Sequence, residues 1–506
     1  METLELLLFL LPAIVTIAMV LKTKNVYKSL GAGIVLAIII YAISFKANPL
    51  RVLYDVFVGL FYDGGFYFWY IFILLFVLLI GLITAVASLS GSAKAFAKWI
   101  TKYAKTPMLG QFVAYVSGIL IFFDDYFNAL VVGEVAKPVI DEHKVSRAKL
   151  SYIIDSTAAP MVILIPISTW GGYIIGEIGA SLESYSFDMS AAEVFTSAIA
   201  VQFYALTALI MVGLTIYFKI DLFHMKKFEA DALAGNDSSA KEDVLSVESS
   251  TNGKAITLPL VILGLLVGTI GGLLWRNGWM FSNDGTSILD MDISEALVIG
   301  GIIGLVIALV FAFMNKDVTT KNLAISMKEY SLSVFKEAIV ILILAWMLST
   351  LLRGGYLDLG GRISEVLGDN LSGGMLPFII FVIAGAMAFA MGTSWGTFAI
   401  MIPIAVPIAF GVGSEYVVVA IAAAIGGGIF GDHCSPISDT TIMSSTGAGC
   451  KLDDHFKSQL PYALIAAFIA GVGFLVYGLT LNLPITYVVL VLLLIVYVIV
   501  GKKLAK

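Results

Sequence analysis

A polar, glycine-rich segment lies inside a long apolar stretch towards the end of the chain. Residues Gly426–Gly449 read GGGIFGDHCSPISDTTIMSSTGAG, and apolar sequence precedes them and resumes at Tyr462. The segment contains two aspartates, and one carboxylate at the bilayer centre costs about 2.5–3.5 kcal/mol on the insertion scale. Polar backbone is tolerated at membrane depth only where protein buries it or it lines a watery cavity. The segment therefore predicts a broken membrane helix that carries a site.

The composition supports a polytopic helical membrane protein. Hydrophobic residues make up 59% of the 506 residues and charged residues 13%, whereas soluble domains have about 45–50% and 25%. The net charge of −6 argues against a nucleic-acid partner, and the two cysteines, Cys434 and Cys450, provide neither a disulfide framework nor a transition-metal site. The apolar runs long enough to cross a bilayer are roughly 4–21, 29–45, 67–90, 149–176, 194–218, 256–275, 295–314, 334–352, 416–449, 462–480 and 485–501.

Two further apolar runs, 107–136 and 375–410, are too long for simple spans. The first is interrupted by FFDDYFN (Phe122–Asn128) and the second by MGTSWGT (Met391–Thr397). If both are re-entrant hairpins and the N-terminus is outside, 25 of the 30 Lys and Arg residues lie on the cytoplasmic side. If both are plain spans, the split is 15 to 15. Because cytoplasmic loops carry an excess of Lys and Arg, hairpins are favoured, with the C-terminus in the cytoplasm.

This topology contains an internal duplication. A span, a hairpin and two further spans occur twice, in opposite orientations, as in inverted-repeat transporters. A weak echo pairs Pro160 with Pro436 and Ser168 with Ser444. The segment 219–255, which links the two halves, has no apolar periodicity and is expected to be flexible. The predicted units are N-terminal scaffold spans (1–66), a first repeat (67–218) with hairpin 107–136, a cytoplasmic linker (219–255), further scaffold spans (256–333), a second repeat (334–480) with hairpin 375–410, and a C-terminal span (481–506).

Polar side chains at membrane depth form four clusters, two in each predicted repeat. Prolines and broken helices free carbonyl groups, and with hydroxyls and carboxylates these suit a small hard cation such as Na⁺. No paired histidine or thiolate ligands for a transition metal are present. The clusters comprise Asp124, Asp125 and Asn128; Asp155, Ser156, Thr157, Ser168, Thr169 and Trp170; Thr393, Ser394 and Trp395; and Asp432, His433, Ser435, Ser438, Asp439, Thr440 and Thr441.

Structural roles compete with these functional ones. Serine and threonine in membrane helices commonly hydrogen-bond between helices, and His433 could be a hydrogen-bonded core residue. Asp155 lies close enough to Lys149 for an interfacial ion pair. Asp124 and Asp125 diverge by about 100° on a helix, so only one is expected to face a cavity. If like charges approach closely there, the neutral acid is favoured and a titratable proton site results.

The segment GDHCSPISDTTIMSSTGAG (Gly431–Gly449) strongly resembles the NhaC-type sodium/proton antiporter family of the ion transporter superfamily. FFDDYFNAL (Phe122–Leu130), IDSTAAP (Ile154–Pro160) and PISTWGGYI (Pro166–Ile174) resemble motifs of its first half. The resemblance implies inverted repeats with re-entrant hairpins and a transport domain that moves against a scaffold, often in a homodimer. It also implies cation sites where hairpin tips meet broken helices.

From these features we expect a Na⁺-coupled secondary transporter, most simply a Na⁺/H⁺ antiporter, in a bacterial inner membrane. Na⁺ and H⁺ are the coupling ions, and no other cofactor is expected. The alternative is a Na⁺-coupled carrier of an amino acid or small carboxylate; an intramembrane hydrolase or a channel fits the duplicated acidic sites less well. The predicted cation and proton ligands are Asp124, Asp125, Asn128, Asp155, Ser156, Thr157, Asp432, Ser435, Ser438 and Asp439. The predicted substrate contacts are Ser168, Thr169, Trp170, Thr393, Ser394, Trp395, His433, Thr440 and Thr441.

Overall fold

The computed structural model describes residues 2–23, 25–62, 64–101, 104–122, 124–183, 185–240, 252–276, 293–334, 339–352, 355–358, 362, 373–436 and 438–505. Within these ranges all regular structure is helical, apart from two isolated β-bridges. The first half contains α1 (Glu2–Thr23), α2 (Val26–Phe45), α3 (Pro49–Gly59), α4 (Phe68–Leu89), α5 (Ser92–Thr101), α6 (Pro107–Leu120), α7 (Asp125–Glu142), α8 (Arg147–Val162), α9 (Thr169–Leu182), α10 (Ala191–Ile199), α11 (Phe203–Phe218) and α12 (His224–Leu233).

The second half is also a succession of helices. Among the described residues nine helical segments are long and apolar enough to cross a membrane, and shorter apolar helices cover four more of the predicted runs. The predicted all-helical membrane fold is confirmed. The remaining helices are α13 (Thr257–Arg276), α14 (Ile293–Phe313), α15 (Thr320–Val334), α16 (Val340–Leu352), α17 (Leu376–Met391), α18 (Ser394–Val412), α19 (Val417–His433), α20 (Asp439–Ala448), α21 (Leu452–Thr480) and α22 (Leu483–Ala505).

Both interrupted runs fold as two helices joined by a short break. Helix α6 ends at Leu120 and α7 begins at Asp125, whereas α17 and α18 are separated by Gly392 and Thr393. Gly392 has φ = 71°, a left-handed conformation that glycine adopts without a steric penalty. The two arms pack against each other in each case. We call these pairs the first hairpin (α6–α7) and the second hairpin (α17–α18).

Two further helices are broken at the same short sequence. The break between α8 and α9 and the break between α19 and α20 both contain Pro-Ile-Ser, at 166–168 and 436–438. Ser168 accepts a hydrogen bond from the Gly171 amide, and Ser438 accepts one from the Thr441 amide. Each serine thus caps the helix that follows. Ser168 therefore corresponds to Ser438, and the pairing of Ser168 with Ser444 in the weak echo was wrong.

The packing of these pieces is duplicated in the two halves. Helix α6 packs on α8 as α17 packs on α19, and each hairpin's second arm contacts the broken helix of the other half. Specifically, α7 packs against α20 and α18 packs against α9. The approach of α7 to α20 is close, because a Cβ atom built on Gly133 would lie 2.2 Å from backbone atoms of Gly447. The two halves are therefore interlocked by backbone contact.

The linker is more ordered than its composition indicates, because α12 lies within it. The residues after α12 bind the start of α8: the Arg147 amide donates to Asp237 (2.7 Å) and the Ala148 amide to Ser239 Oγ (3.1 Å). The Lys451 amide donates to the Ser239 carbonyl at 2.9 Å. This part of the linker thus connects α8 to the beginning of α21. Other helices that the apolar runs did not predict are α3, α5 and α15.

The Gly133–Gly447 contact predicts that Gly133→Ala destabilises the protein. The new methyl group would lie within 3 Å of the α20 backbone, and such overpacking costs about 1–3 kcal/mol. The matched control is Gly31→Ala on α2, where a Cβ would meet no atom within 4 Å and alanine favours the helix. Thermal unfolding of the purified protein should show a lower melting temperature for Gly133→Ala only. Equal melting temperatures for wild type and Gly133→Ala would contradict the close contact.

Glu229 on α12 predicts a pH dependence of stability. Its Oε1 accepts hydrogen bonds from the Ser146 amide (2.9 Å) and hydroxyl (2.6 Å). Burial raises the pKa of Glu229, and the Lys149 ammonium opposes part of that rise. The contribution of this group to the free energy of unfolding is therefore full below its ordinary pKa, about 4.3, and is lost as the pH rises through the raised value. Glu229→Gln should flatten this fall in unfolding experiments between acid and neutral pH; identical pH slopes would contradict it.

Candidate functional site

The tip of the first hairpin is braced by one amide side chain. Asn128 is fully buried, and its Nδ2 donates to the carbonyls of Gly118 (2.7 Å) and Ile121 (2.8 Å). These carbonyls lie at the end of α6, where helical donors are missing. The Asn128 Oδ1 atom is buried and accepts no hydrogen bond from the residues that the structure describes. Asn128 therefore both stabilises the break and presents an acceptor inside it.

The two adjacent aspartates of this tip contact consecutive residues of α9. Asp125 is 1% exposed and accepts a hydrogen bond from Trp170 Nε1 at 3.0 Å. Asp124 is half-buried, and its Oδ2 lies 3.5 Å from Thr169 Oγ1. Asp125 is the first residue of α7, and Thr169 is the first of α9. Both carboxylates thus lie at helix N-termini, where the helix dipole favours negative charge.

The tip of the second hairpin contacts the end of α19 in a similar way. Ser394, the first residue of α18, donates from Oγ to Asp432 Oδ2 at 2.7 Å. The Ser438 hydroxyl donates to the other oxygen of the same carboxylate and lies 3.0 Å from Thr440 Oγ1. Asp432 is fully buried. One carboxylate therefore joins the second hairpin tip to the break after α19.

A pair of tryptophans links the two tips. Trp170, which donates to Asp125, packs edge to face against Trp395 of the second tip, with ring centroids 5.6 Å apart. Trp395 also contacts the ring of Tyr173 at 4.6 Å, and the Tyr173 hydroxyl donates to its carbonyl at 3.1 Å. Both tips thus meet α9, as the predicted convergence of the two hairpins requires. The tryptophans fill the junction between the halves.

Asp155 lies in a third polar cluster and does not pair with Lys149. Lys149 forms its ion pair with Asp221, so the interfacial pair considered from the sequence is not formed. Asp155 is fully buried and accepts hydrogen bonds from Ser444 Oγ (2.9 Å) and Gln459 Nε2. His455 Nε2 lies 3.5 Å from the same carboxylate. The cluster connects α8 to α20 and α21.

His433 belongs to the edge of this third cluster. Its carbonyl accepts a hydrogen bond from Gln459 Nε2 at 3.0 Å, and its Nδ1 lies 3.0 Å from the Tyr204 hydroxyl. Sequence reasoning did not select Gln459, His455 or Tyr204. Gln459 and His455 precede the apolar run that begins at residue 462, so they resembled interfacial residues. Their spacing of four positions, which places them on one helix face, was the available signal.

Several predicted ligands donate hydrogen bonds to backbone carbonyls. Thr157 Oγ1 donates to the Ile153 carbonyl at 2.7 Å, and Ser168 Oγ donates to the Val162 carbonyl at 2.6 Å. Ser435 Oγ donates to the Phe389 carbonyl at 2.8 Å, which ties the second break to α17. These hydroxyls satisfy backbone groups of the helix breaks.

The remaining predicted residues lie near the clusters without a common role. Thr393 occupies the cap position of α18 without a side-chain cap hydrogen bond. Thr441 Oγ1 is buried and has no hydrogen-bond partner among the described residues, and Ser156 is 5% exposed beside Asp155. The backbone of Asp439 begins α20, but its side chain lies outside the described residues.

The arrangement offers buried carboxylates surrounded by hydroxyl and carbonyl oxygens. Oxygen donors of this kind suit hard cations, and a buried carboxylate also binds a proton when no cation balances it. Each half contains one carboxylate with such oxygen neighbours: Asp125 with Asn128 in the first half, and Asp432 with Ser394 and Ser438 in the second. Asp155 with His455 provides a third, in which an acid and a base share one site.

Comparison with known proteins identifies a class of ion transporter. A model of the Na⁺/H⁺ antiporter family matches residues 161–479. An uncharacterised protein of Haemophilus influenzae is 36% identical over 482 residues, covering 93% of this chain and 91% of that protein. The malate-2H⁺/Na⁺-lactate antiporter of Bacillus subtilis is 25% identical over 209 residues, covering 38% of this chain and 39% of that protein.

Two solved transporter structures have the same fold. The YdaH transporter of Alcanivorax borkumensis superposes with a TM-score of 0.56 at 15% identity, covering 85% of this chain and 89% of that one. The MtrF protein of Neisseria gonorrhoeae, from a class of antimetabolite efflux pumps, gives a TM-score of 0.50 at 13% identity, covering 85% and 84%. At these identities the likeness establishes the fold alone. The family match covers more than half of the chain, and it shows that this integral membrane protein is a transporter, not an enzyme, and belongs to the Na⁺/H⁺ antiporter family.

Proposed function

We propose that the protein exchanges Na⁺ for H⁺ by alternating access, with Asp432 as a central Na⁺ ligand. The observation that carries this proposal is the full burial of Asp432 between two helix breaks, where the hydroxyls of Ser394 and Ser438 contact its two oxygens. The two hydroxyls are neutral, and together with the carboxylate they offer oxygen ligands of the kind that a hard cation prefers. Na⁺ bound to these oxygens, or a proton on the carboxylate, would neutralise the charge of Asp432.

Asp125 and Asn128 form the equivalent ligands of the first half. Asn128 Oδ1 is a buried acceptor one helical turn from Asp125, so both oxygens lie on the same side of α7. An amide oxygen beside a carboxylate is a suitable Na⁺ ligand pair. Thr169 and Trp170 position the two adjacent acids through their contacts. Ser156 and Ser435 are assigned to the periphery of the cation sites, and Asp439 stays a ligand predicted from the sequence.

The Asp155–His455 pair is proposed as a proton site. His455 is fully buried and lies 3.5 Å from Asp155. An imidazole beside a carboxylate can accept a proton and pass it on. Gln459 donates to both Asp155 and the His433 carbonyl, so the protonation of this pair is connected to the end of α19, directly beside Asp432.

A Na⁺-coupled carrier of a small carboxylate is the second candidate. It is favoured by the name of the B. subtilis relative, which lists malate and lactate together with H⁺ and Na⁺. A free carboxylate would bind most readily at the N-termini of the half-helices. Here the N-termini of α7, α9 and α18 already face Asp125, Asp124 and Asp432 of the protein itself. Because the protein's own carboxylates already lie at these N-termini, a cation is favoured over an organic anion as the transported substrate.

The proposed movement is that of an elevator. The two hairpins and the broken helices would form the transport domain, and α4 and α16, which pack against α9, would belong to the scaffold. The distribution of Lys and Arg supports a cytoplasmic C-terminus in a bacterial inner membrane. A homodimer of scaffolds is proposed from the family resemblance.

Removing one hydroxyl from Asp432 tests the cation site. Ser394→Ala deletes a hydrogen bond to a charged group, worth about 1.5–3 kcal/mol, so the apparent Na⁺ affinity should fall roughly 10- to 100-fold. Asp432→Asn should abolish exchange. The matched control is Ser445→Ala, a buried serine that donates only to the Ile442 carbonyl of its own helix. The measurement is Na⁺-induced collapse of a pH gradient in proteoliposomes free of organic solutes.

The same vesicles separate the two candidate functions. Collapse of the gradient by Na⁺ alone supports exchange. If the gradient collapses only when lactate or malate is also present, the second candidate replaces the first. If Ser394→Ala and Ser445→Ala have the same Na⁺ affinity as the wild type, Asp432 is not the central Na⁺ ligand.

Substitution of His455 tests the proton site. His455→Gln keeps a buried polar side chain but removes the imidazole beside Asp155, so we expect the pH profile of exchange to change while the Na⁺ affinity stays within about threefold. His224→Gln serves as control because His224 lies at the exposed start of α12. Both profiles are read from initial rates between pH 6 and 9. An unaltered profile for His455→Gln would remove His455 from the proton pathway.

A further inference from the structure

Glu177 on α9 is a buried acid that none of the three polar clusters uses. Its side chain is fully buried, and both carboxyl oxygens are inaccessible and accept no hydrogen bond from any described residue. It lies eight residues after the start of α9, or about 12 Å along the helix. Glu177 is therefore separate from Asp124, Asp125 and Trp170 at the broken end of the same helix.

The helical period fixes which side of α9 carries Glu177. Successive residues turn by 100°, so Trp170, Tyr173 and Glu177 share one face. Trp170 lies 5.4 Å from Phe398, and Tyr173 lies 4.6 Å from Trp395, between ring centroids, so this face packs on α18. Glu177 thus lies on the same face of α9 as Trp170, seven residues further along the helix.

The other side of α9 packs on α4. A Cβ built on Gly172 or Gly176 would lie within 3 Å of Phe76 or Ile73 respectively. Helix α9 is thus held between the second hairpin and α4, and Glu177 moves whenever the packing of α9 against either neighbour changes.

Few titratable groups lie on the elements around Glu177. Helices α16 and α18 contain none. On α9 the neighbour one turn away is Tyr173, whose hydroxyl already donates to the Trp395 carbonyl. The titratable residues of the other elements packed against α9 are Tyr70 on α4, Glu193 on α10, and Arg147, Lys149, Tyr152 and Asp155 on α8. Five of them are engaged elsewhere: Tyr70 with Glu183, Glu193 with Ser190, Arg147 with Asp141, Lys149 with Asp221, and Asp155 with Ser444.

A proton satisfies Glu177 better than a metal cation does. An isolated carboxylate in apolar surroundings is strongly disfavoured, and such a group neutralises by binding a proton. Na⁺ would need several oxygen ligands, and α18 and α16 supply apolar side chains along this stretch. The neutral acid requires no further ligand and fits the apolar contact with α18.

We propose that Glu177 is a proton-binding site that holds a proton while α9 is packed between α18 and the scaffold helices α4 and α16, and releases it when α9 moves against those scaffold helices. The step is the dissociation of the carboxylic acid into a carboxylate and a proton, and the proton passes to water that reaches the group. The release step rests on the proposed Na⁺/H⁺ exchange, whereas the bound proton does not. Glu177 would add to the exchange cycle a titrating carboxyl that is distinct from the cation ligands.

Infrared spectroscopy of the purified protein tests the bound proton without requiring transport. The C=O stretch of a protonated carboxyl should be present in the wild type at neutral pH, and Glu177→Gln should remove the part of that band that Glu177 contributes. Glu177→Asp, which keeps an acid, should retain it. The matched control is Glu183→Gln, because Glu183 lies just after α9, is exposed and accepts a hydrogen bond from Tyr70. Identical carboxyl bands in wild type and Glu177→Gln would overturn the proposal.

The release step is tested by the pH profile of Na⁺-driven proton movement in proteoliposomes. Glu177→Gln should shift the profile by about one pH unit or more, whereas Glu183→Gln should leave it unchanged. An unshifted profile for Glu177→Gln would overturn the release step. If the wild type itself moves no protons in response to Na⁺, the proposed exchange fails, and the infrared result alone decides whether Glu177 holds a proton.

Discussion

The backbone at each helix break must be satisfied without bulk water, and the candidate site follows from this requirement. A helix that stops in the middle of a membrane exposes unpaired amides and carbonyls, each costly to bury. Asn128 binds two carbonyls at the end of α6, and Ser168 and Ser438 cap α9 and α20. The same breaks create helix N-termini whose dipoles hold Asp124, Asp125 and Asp432. Polar side chains needed to stabilise the breaks and carboxylates able to bind a cation are thus placed together.

The two halves depend on each other more than a simple duplication requires. Each hairpin's second arm packs against the broken helix of the opposite half, α7 on α20 and α18 on α9. The Gly133–Gly447 contact is a backbone contact, and Trp170 and Trp395 fill the junction between the tips. Rocking of one half against the other would break these contacts at the site itself. Movement of the hairpins and broken helices together, as in the proposed elevator, would keep them intact.

Sequence reasoning identified the breaks because composition changes abruptly there. The polar stretches around Asp125, Ser168, Ser394 and Asp432 stand out against apolar surroundings, and all four lie at helix breaks in the structure. The sequence could not show that the partners of Asp155 come from the beginning of α21, because Gln459 and His455 lie in ordinary amphipathic sequence. It also gave Asp155 a neighbour in sequence, Lys149, which in fact pairs with Asp221.

Other misses have a different physical cause. Glu177 is a single acid in a glycine-rich helix, and burial on all sides is a tertiary property that no local pattern encodes. Within the linker, α12 buries Met225, Phe228 and Ala232 at helical spacing, but three positions in a short polar segment form a signal that the sequence analysis overlooked. The correspondence between the two broken helices could have been found from the sequence, because Pro-Ile-Ser occurs in both breaks. In the sequence analysis, single prolines and serines were instead matched at a different spacing.

The balance of buried charge explains why an exchanger of this design need not leak. Among the side chains that the structure describes, the carboxyl groups of Asp125, Asp155, Glu177 and Asp432 are at most 1% exposed. The one buried lysine, Lys149, is already paired with Asp221, and the other buried bases are His433 and His455. Ionising all four carboxyls with no bound cation would add several negative charges to a low-dielectric interior, which is strongly disfavoured. In the proposed exchange, protons or Na⁺ on these groups would therefore accompany each crossing, with Na⁺ carried in one direction and protons in the other.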